Sequence, residues 1–414
     1  MNTLTASTIA TLAFIFASGI AASTSVAEDA TWNQWRGPDR DGVWPRELPK
    51  SLSALELVWQ KPLQPSYSGP VTDGKLVYTT ETVDESFERM TAYDLKTGDM
   101  IWIVKWDGAI TVPPYAMANG SWMKSTPTLA EDSLVVLGMR DEVICLEPTS
   151  GDIRWQADLA ERFDARRPPF GGVCSPLIDD GAVYVMAGGA TVKLSLANGS
   201  TIWKTLADEG DDDDALSSPV IKTIAGERQL VVQTRTRLCG VDLKDGSLLW
   251  SQRIEAYRNM NVLTPTVFGN RVFTAAQRGR SQCFEVTHED DGWSCKEVWN
   301  QKTQAYMSSP VVDGDTIFMH SSSERLTALD AATGEILWTG RPMGKYQSLI
   351  RNDEIILALN CEGELVAVEP NRDELTIVDQ RKVADDSWAY LGVFDGGLLV
   401  RDLNALKVYR YASR

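Results

Sequence analysis

The sequence predicts an all-β protein, an eight-bladed β-propeller of four-stranded antiparallel blades, its ring closed by an N-terminal strand. Three observations carry this. An eleven-residue phrase recurs, as "AYDLKTGDMIW" over Ala92–Trp102 and "ALDAATGEILW" over Ala328–Trp338. Tryptophans end related phrases at Trp59, Trp102, Trp155, Trp203, Trp250, Trp299 and Trp338, at intervals of 39–53 residues. Ahead of these phrases stand hairpins that open on Ser-Pro or Thr-Pro, such as "SPLIDDGAVYVMAG" and "TPTVFGNRVFTAA". Units of four short strands at a period of about 40–50 residues are propeller blades, because a single such sheet cannot bury its own faces.

Each element follows from local chemistry. The skeleton Ala-x-Asp-x-x-Thr-Gly-x-x-x-Trp reads as strand, tight turn, strand. Asp94 can bond its own turn backbone, and Gly98 can take the positive φ that closes the turn. The Ser-Pro hairpins supply the other two strands of a blade. Proline at a strand's first residue loses no ladder bond when that edge faces solvent or an axis. Degraded hairpins follow at "SLIRNDEIILAL" and "LGVFDGGLLVRDL", and Val378 stands in the eighth tryptophan position. The final run "VYRYASR" ends after a third strand, whereas "ALELVW" has a last strand but no hairpin before it. Residues 55–60 are therefore expected to complete the last blade, leaving no open sheet edge.

The chain divides into an expected signal peptide (1–27), an N-terminal lead (28–54) and the propeller (55–414). The first segment contains "TLAFIFASGIAASTSVA", apolar and then small, with Ser25 and Ala27 at small-x-small positions. It carries no Lys or Arg, so only the amino terminus is positive. Export to the periplasm or outside is expected, with no lipidated cysteine and no membrane anchor, because the first cysteine is Cys145. A net charge of −17 excludes a nucleic-acid surface and favours a soluble monomer.

An exported chain can form disulfides, and there are six cysteines. Cys145 and Cys283 hold the small-residue position of the repeat, where a small buried hydrophobe suffices. If Val286 pairs with Gly292 across the long hairpin "CFEVTHEDDGWSCKEVW", Cys283 falls opposite Cys295. A disulfide between them and two buried thiols are then the alternatives.

The repeated phrase resembles the tryptophan-docking motif of quinoprotein propellers, the pyrroloquinoline-quinone (PQQ) repeat superfamily. The resemblance covers about residues 55–411. It implies that each tryptophan packs between blades, against a small residue and the Gly-bearing turn of a neighbouring motif. The small residues would be Ala92, Cys145, Gly240, Cys283 and Ala328; Lys193 departs from the pattern. The phrases "WNQWRGPDRDGV", "SSPVIKTIAGERQLVV" and "NVLTPTVFGNRVF" are similar to exported PQQ-like propellers of Planctomycetes, often described as similar to the assembly lipoprotein BamB. That resemblance implies a non-catalytic binding or scaffold role in the cell envelope, with a protein partner and no cofactor. The alternative it leaves is a PQQ-dependent dehydrogenase of alcohols or sugars, holding PQQ with calcium. Resembling enzymes carry adjacent cysteines, calcium ligands and an Asp base on longer chains, and this chain has no Cys-Cys pair.

Other chemistry finds little footing. His288 and His320 lack a third partner at ligand spacing, which argues against a metal site or a Ser–His triad. Neither a Cys-x-x-Cys-His haem motif nor a Gly-rich phosphate loop occurs. The carboxylates of 208–214, "DEGDDDD", suit calcium by type but lack alternating ligand spacing, so a solvated loop is expected and no metal. Loops leading into the Ser-Pro hairpins should rim one mouth of the channel. They place Lys124, Arg166, Arg167, Arg258 and Asn261 as candidate binding residues there. Tyr115, Trp122 and Tyr306 beside them support a third reading, polysaccharide or small-ligand binding.

Overall fold

The computed structural model describes residues 30–207, 215–305 and 307–412. The expected signal segment lies outside them. Eight four-stranded antiparallel sheets follow one another along the chain and form an eight-bladed propeller. Blade 1 comprises Val71–Thr72, Leu76–Val83, Phe87–Asp94 and Met100–Asp107, from the axis outward. Blade 8 takes Gly392–Phe394, Gly397–Asp402 and Ala405–Arg410 from the end of the chain, and its outermost strand is Glu56–Pro62. The expected closure is thus the one found. Middle strands such as Ser133–Leu137 are buried on both faces because blades flank them. Outermost strands such as Met100–Asp107 alternate, with Trp102 and Trp106 turned inward.

The repeated turn is held as its residues foretell. Asp94 Oδ1 accepts from the backbone N–H of Lys96 (2.9 Å) and Thr97 (2.7 Å), and Gly98 N–H donates to Asp94 O at 2.8 Å. Gly98 has φ +75°, and a Cβ there would lie 2.8 Å from the Trp59 ring. The turn is therefore also a seat for an indole.

Six tryptophans use such a seat on the following blade. Trp59, Trp102 and Trp155 donate Nε1–H to the carbonyls of Leu95 (3.0 Å), Pro148 (2.7 Å) and Leu196 (2.7 Å). Trp203, Trp299 and Trp338 do the same to Leu243 (3.3 Å), Ala331 (3.1 Å) and Asn371 (3.0 Å). Within each blade, Ala92, Cys145, Gly240, Cys283 and Ala328 stand opposite that blade's own tryptophan in the ladder. Trp250 is the exception, bonding Gln229 Oε1 of its own blade at 2.5 Å. The next blade there carries the long hairpin in place of the compact turn. Lys193 is accommodated because its Nζ reaches out to Leu243 O at 2.7 Å, the carbonyl that Trp203 also uses.

The Ser/Thr-Pro signature has its own cause. The hydroxyl before the proline accepts from the backbone of the preceding blade: Gly69 N–H to Thr126 (3.1 Å), Thr126 N–H to Ser175 (2.9 Å) and Ser175 N–H to Ser218 (2.9 Å). Thr264 N–H reaches Ser309 in the same way at 3.2 Å. These clasps run around the axis while the tryptophans clasp the rim.

Within the N-terminal lead expected over 28–54, the stretch 31–44 is built into the ring and fills the channel. Trp32 and Trp44 are 1% exposed and meet edge to face at 6.2 Å. Thr72 N–H and Leu129 N–H donate to the carbonyls of Trp32 (2.9 Å) and Asn33 (2.7 Å). Arg40 donates to Ser175 O and Pro176 O, both at 2.8 Å, and Arg36 donates to Pro310 O. The segment then runs beside blade 7, where Asp379 accepts from Leu52 N–H (2.7 Å) and Arg381 donates to Leu55 O (2.6 Å). Of the two alternatives for Cys283 and Cys295, a disulfide or two thiols, the structure has the thiols. The hairpin pairs Glu289 with Gly292, so Cys295 opposes Val286 and Cys283 opposes Trp299. Three positions along a strand is about 10 Å, beyond disulfide reach. All six cysteines are free thiols, and burial pushes both Cys283 and Cys295 up to about 12.

Candidate functional site

The inner strands all start at one end of the channel, and the residues just before them form its mouth. A cavity of about 120 Å³ opens there. Its floor belongs to the N-terminal segment and blade 8: Trp35 lies 4.8 Å from Tyr390, ring to ring, and donates Nε1–H to the Thr264 hydroxyl at 2.9 Å. One wall is aromatic. Trp388 stacks on Tyr346 at 4.3 Å and meets Tyr67 edge to face at 5.4 Å. The other walls mix Leu216, Val262 and Met307 with the hydroxyls of Ser218, Ser309 and Ser348.

Lys124 is the cation in this lining, but its charge is not on offer. Nζ donates to the carbonyls of Gly120 (3.0 Å), Trp122 (3.0 Å) and Phe170 (3.1 Å), which uses all three hydrogens. Burial lowers its pKa to about 8. Its work is to tie two mouth loops together. The Tyr67 hydroxyl donates to the Asp386 carboxylate at 3.4 Å; burial and that carboxylate raise the Tyr67 pKa, and burial raises that of Asp386.

The other candidates do not converge on the cavity. Arg166 is exposed on its loop, and Arg167 bonds Asp158 (2.6 Å) and the Arg140 carbonyl. Arg258 is exposed in the short turn Tyr257–Asn259, 5.3 Å from the Tyr257 ring. Asn261 is buried and structural, donating to Arg235 O (2.8 Å) and Ile254 O (3.1 Å). Tyr115 is exposed, edge-on to Phe170 at 6.1 Å, and Trp122 is half-buried. Tyr306 and the acidic run 208–214 lie outside the described residues. The aromatic group that does assemble, Tyr67, Tyr346 and Trp388, comes from three loops that no local pattern marks.

The cavity does not suit a quinone site. Pockets for ligands of that size are about 300–1,000 Å³, against about 120 Å³ here. Its lining, among the described residues, contains no carboxylate to serve as a base or calcium ligand. No group of three or more His, Cys, Asp or Glu side chains gathers for a metal among them either. No helix among the described residues is long and apolar enough to cross a membrane.

Comparison with known proteins places this geometry. The family described as outer membrane protein assembly factor BamB matches residues 86–340. The BamB of Yersinia pestis is 23% identical over 260 residues, which covers 60% of this chain and 60% of that protein's length. Among solved structures, BamB from Moraxella catarrhalis superposes with a TM-score of 0.62 at 16% identity, over 86% of this chain and 100% of that one. A europium-containing methanol dehydrogenase superposes at 0.51 and 11% identity, over 90% and 89%. These likenesses show the fold. With more than half of its length matched, the chain belongs to the family of the outer membrane protein assembly factor BamB.

Proposed function

We propose that this chain is an exported, non-catalytic propeller that binds a protein partner of the cell envelope through the loops of its mouth face, as a BamB-like scaffold. The observation that carries this reading is the filled channel. Trp32, Arg36, Arg40 and Trp44 occupy the axis where a cofactor would have to sit, and a cavity of about 120 Å³ remains above them. What is left for function is loop surface. The apolar opening segment supports export, and the family supports a place in outer-membrane protein assembly.

A second reading has one observation in its favour. The Tyr67–Trp388–Tyr346 wall suits a single apolar side chain or a sugar ring, so a small ligand or polysaccharide could seat at the mouth. The competing catalytic reading, a PQQ-dependent dehydrogenase with calcium, is tested directly. Protein reconstituted with PQQ and Ca²⁺ is assayed with an alcohol, an aldose and an artificial electron acceptor, beside a cross-linked pull-down from envelope extract. A specific envelope protein and no quinone-dependent turnover are expected. Saturable turnover that vanishes without the quinone would overturn the scaffold reading.

A further inference from the structure

The chain has 57 acidic and 40 basic residues, yet one place on its mouth side is crowded with arginine. Arg237 and Arg253, both exposed, face each other directly across two strands of blade 4. Like charges in that relation destabilise a sheet. Beside them, Tyr257 is exposed between two guanidiniums, with Arg278 at 4.4 Å and Arg258 at 5.3 Å from its ring centre. Arg280 joins the group from the same turn as Arg278. Among the described residues, none of these five arginines forms an ion pair with a carboxylate.

Between them runs a groove of about 630 Å³, lined by Arg253, Tyr257, Arg278, Arg280, Gln282 and Glu255. Glu255 supplies one carboxylate. The neighbouring Glu297 is already engaged, accepting from Gln282 (2.7 Å) and Asn300 (2.6 Å). The walls are held from beneath. Arg235 donates to the carbonyls of Asn259 (2.7 Å) and Arg258 (2.9 Å), and Tyr257 N–H donates to Gln277 O at 2.9 Å. The groove is thus pre-formed, positive and lined by forks that match carboxylate geometry.

We propose that this groove, at the junction of blades 4 and 5, seats a short acidic segment of a protein partner, its Asp and Glu side chains paired with Arg253, Arg278 and Arg280. The proposal rests on the reading of the mouth face as a protein-binding face. A short segment is favoured over an extended polyanion or an anionic membrane. The net charge of −17 repels a long or planar array of negative charge everywhere outside the groove.

The test uses the full mature chain and a fluorescent Asp/Glu-rich peptide, read by anisotropy across a salt series, with Arg253→Glu/Arg278→Glu and a control reversal, Lys96→Glu, on an exposed turn of blade 1. Peptide binding that weakens with salt, falls at least about tenfold in the double variant and is unchanged in the control is expected. Arg253→Glu alone should melt at the same temperature as the parent or higher, because it gives Arg237 an opposite partner. That separates lost binding from lost folding. Peptide binding indifferent to the double reversal would overturn the proposal. Stronger binding to anionic vesicles or a sulfated polysaccharide than to the peptide would overturn the partner class. If the double variant still captures the same envelope protein as the parent, the groove is not the contact, and the scaffold reading stands without it.

Discussion

The Trp35 indole donates to the Thr264 hydroxyl at 2.9 Å, tying a residue that precedes the first blade to the loop that opens the fifth. Bonds of this kind join residues 32–43 to blades 1, 2, 3, 5, 6 and 7, so the segment acts as an axle for the ring. Removing residues 31–49 while keeping Glu56–Pro62 should therefore be far more harmful than the loss of a loose tail. Deletion opens the channel, takes the Arg36 donor from the Pro310 carbonyl and leaves that of Pro176 with the Thr128 hydroxyl alone. The expected result is an insoluble chain or a melting transition lowered by well over ten degrees; Trp35→Phe, which loses one hydrogen bond, should forfeit about 1 kcal/mol. A deletion variant that melts cooperatively at the parent temperature would refute the axle.

Within the axle, Gly37 is a sensitive position. Its φ is +82°, and a Cβ would stand 2.5 Å from the Trp32 ring. Gly37→Ala combines left-handed strain with a clash against a ring that has no room to move, and should destabilise by about 2–4 kcal/mol. Gly74 offers the control. Its φ is +86° but nothing lies within 4 Å of the added carbon, so Gly74→Ala should show the strain alone, about 1 kcal/mol. Denaturant unfolding of both variants checks the difference.

Why the ring was legible and the axle was not follows from range. The Asp94 turn, the proline-led strands and the closing strand at Trp59 rest on chemistry within a dozen residues, repeated often enough to fix a period. "WNQWRGPDRDGV" has no period, and its seat exists only once eight blades have closed. Arg36 and Arg40 look like solvent residues until the carbonyls of Pro310 and Pro176 surround them. The basic groove has the same origin, since Arg237, Arg253 and Arg278 come from separate segments. Of the mouth candidates, Lys124 lies in the cavity lining, but its role as a loop tie depends on three carbonyls no sequence pattern shows.

The register of the long hairpin makes a chemical prediction. A two-residue loop, Asp290–Asp291, joins Glu289 to Gly292, and a bulge follows between Cys283 and Phe284. Cys283 is thereby carried away from Cys295. Thiol labelling of unreduced, denatured protein should count six free cysteines. Four would restore the bridge.

The last prediction concerns pH. Glu88 is buried between blades 1 and 2, where Met139 N–H (2.6 Å) and Trp106 Nε1–H (2.8 Å) bond its oxygens. Burial outweighs those bonds and raises its pKa to about 7. His320, buried against Ser308 and bonded to Gly344 O at 2.8 Å, moves the other way: burial lowers it to about 4. The folded chain thus holds a proton on Glu88 that the unfolded chain releases, so stability from this group falls as pH rises from about 4.5 to 7. It excludes a proton from His320 that the unfolded chain binds, so stability from that group rises as pH climbs from about 4 to 6.5. Each shift is worth about 3 kcal/mol, and the two nearly cancel. Urea unfolding of the parent should vary little between pH 4.5 and 6.5 on their account. Glu88→Gln should gain about 3 kcal/mol of stability over that window through His320, and His320→Gln should lose a similar amount through Glu88. Variants that keep the parent's pH slope would show that neither group titrates as its burial requires.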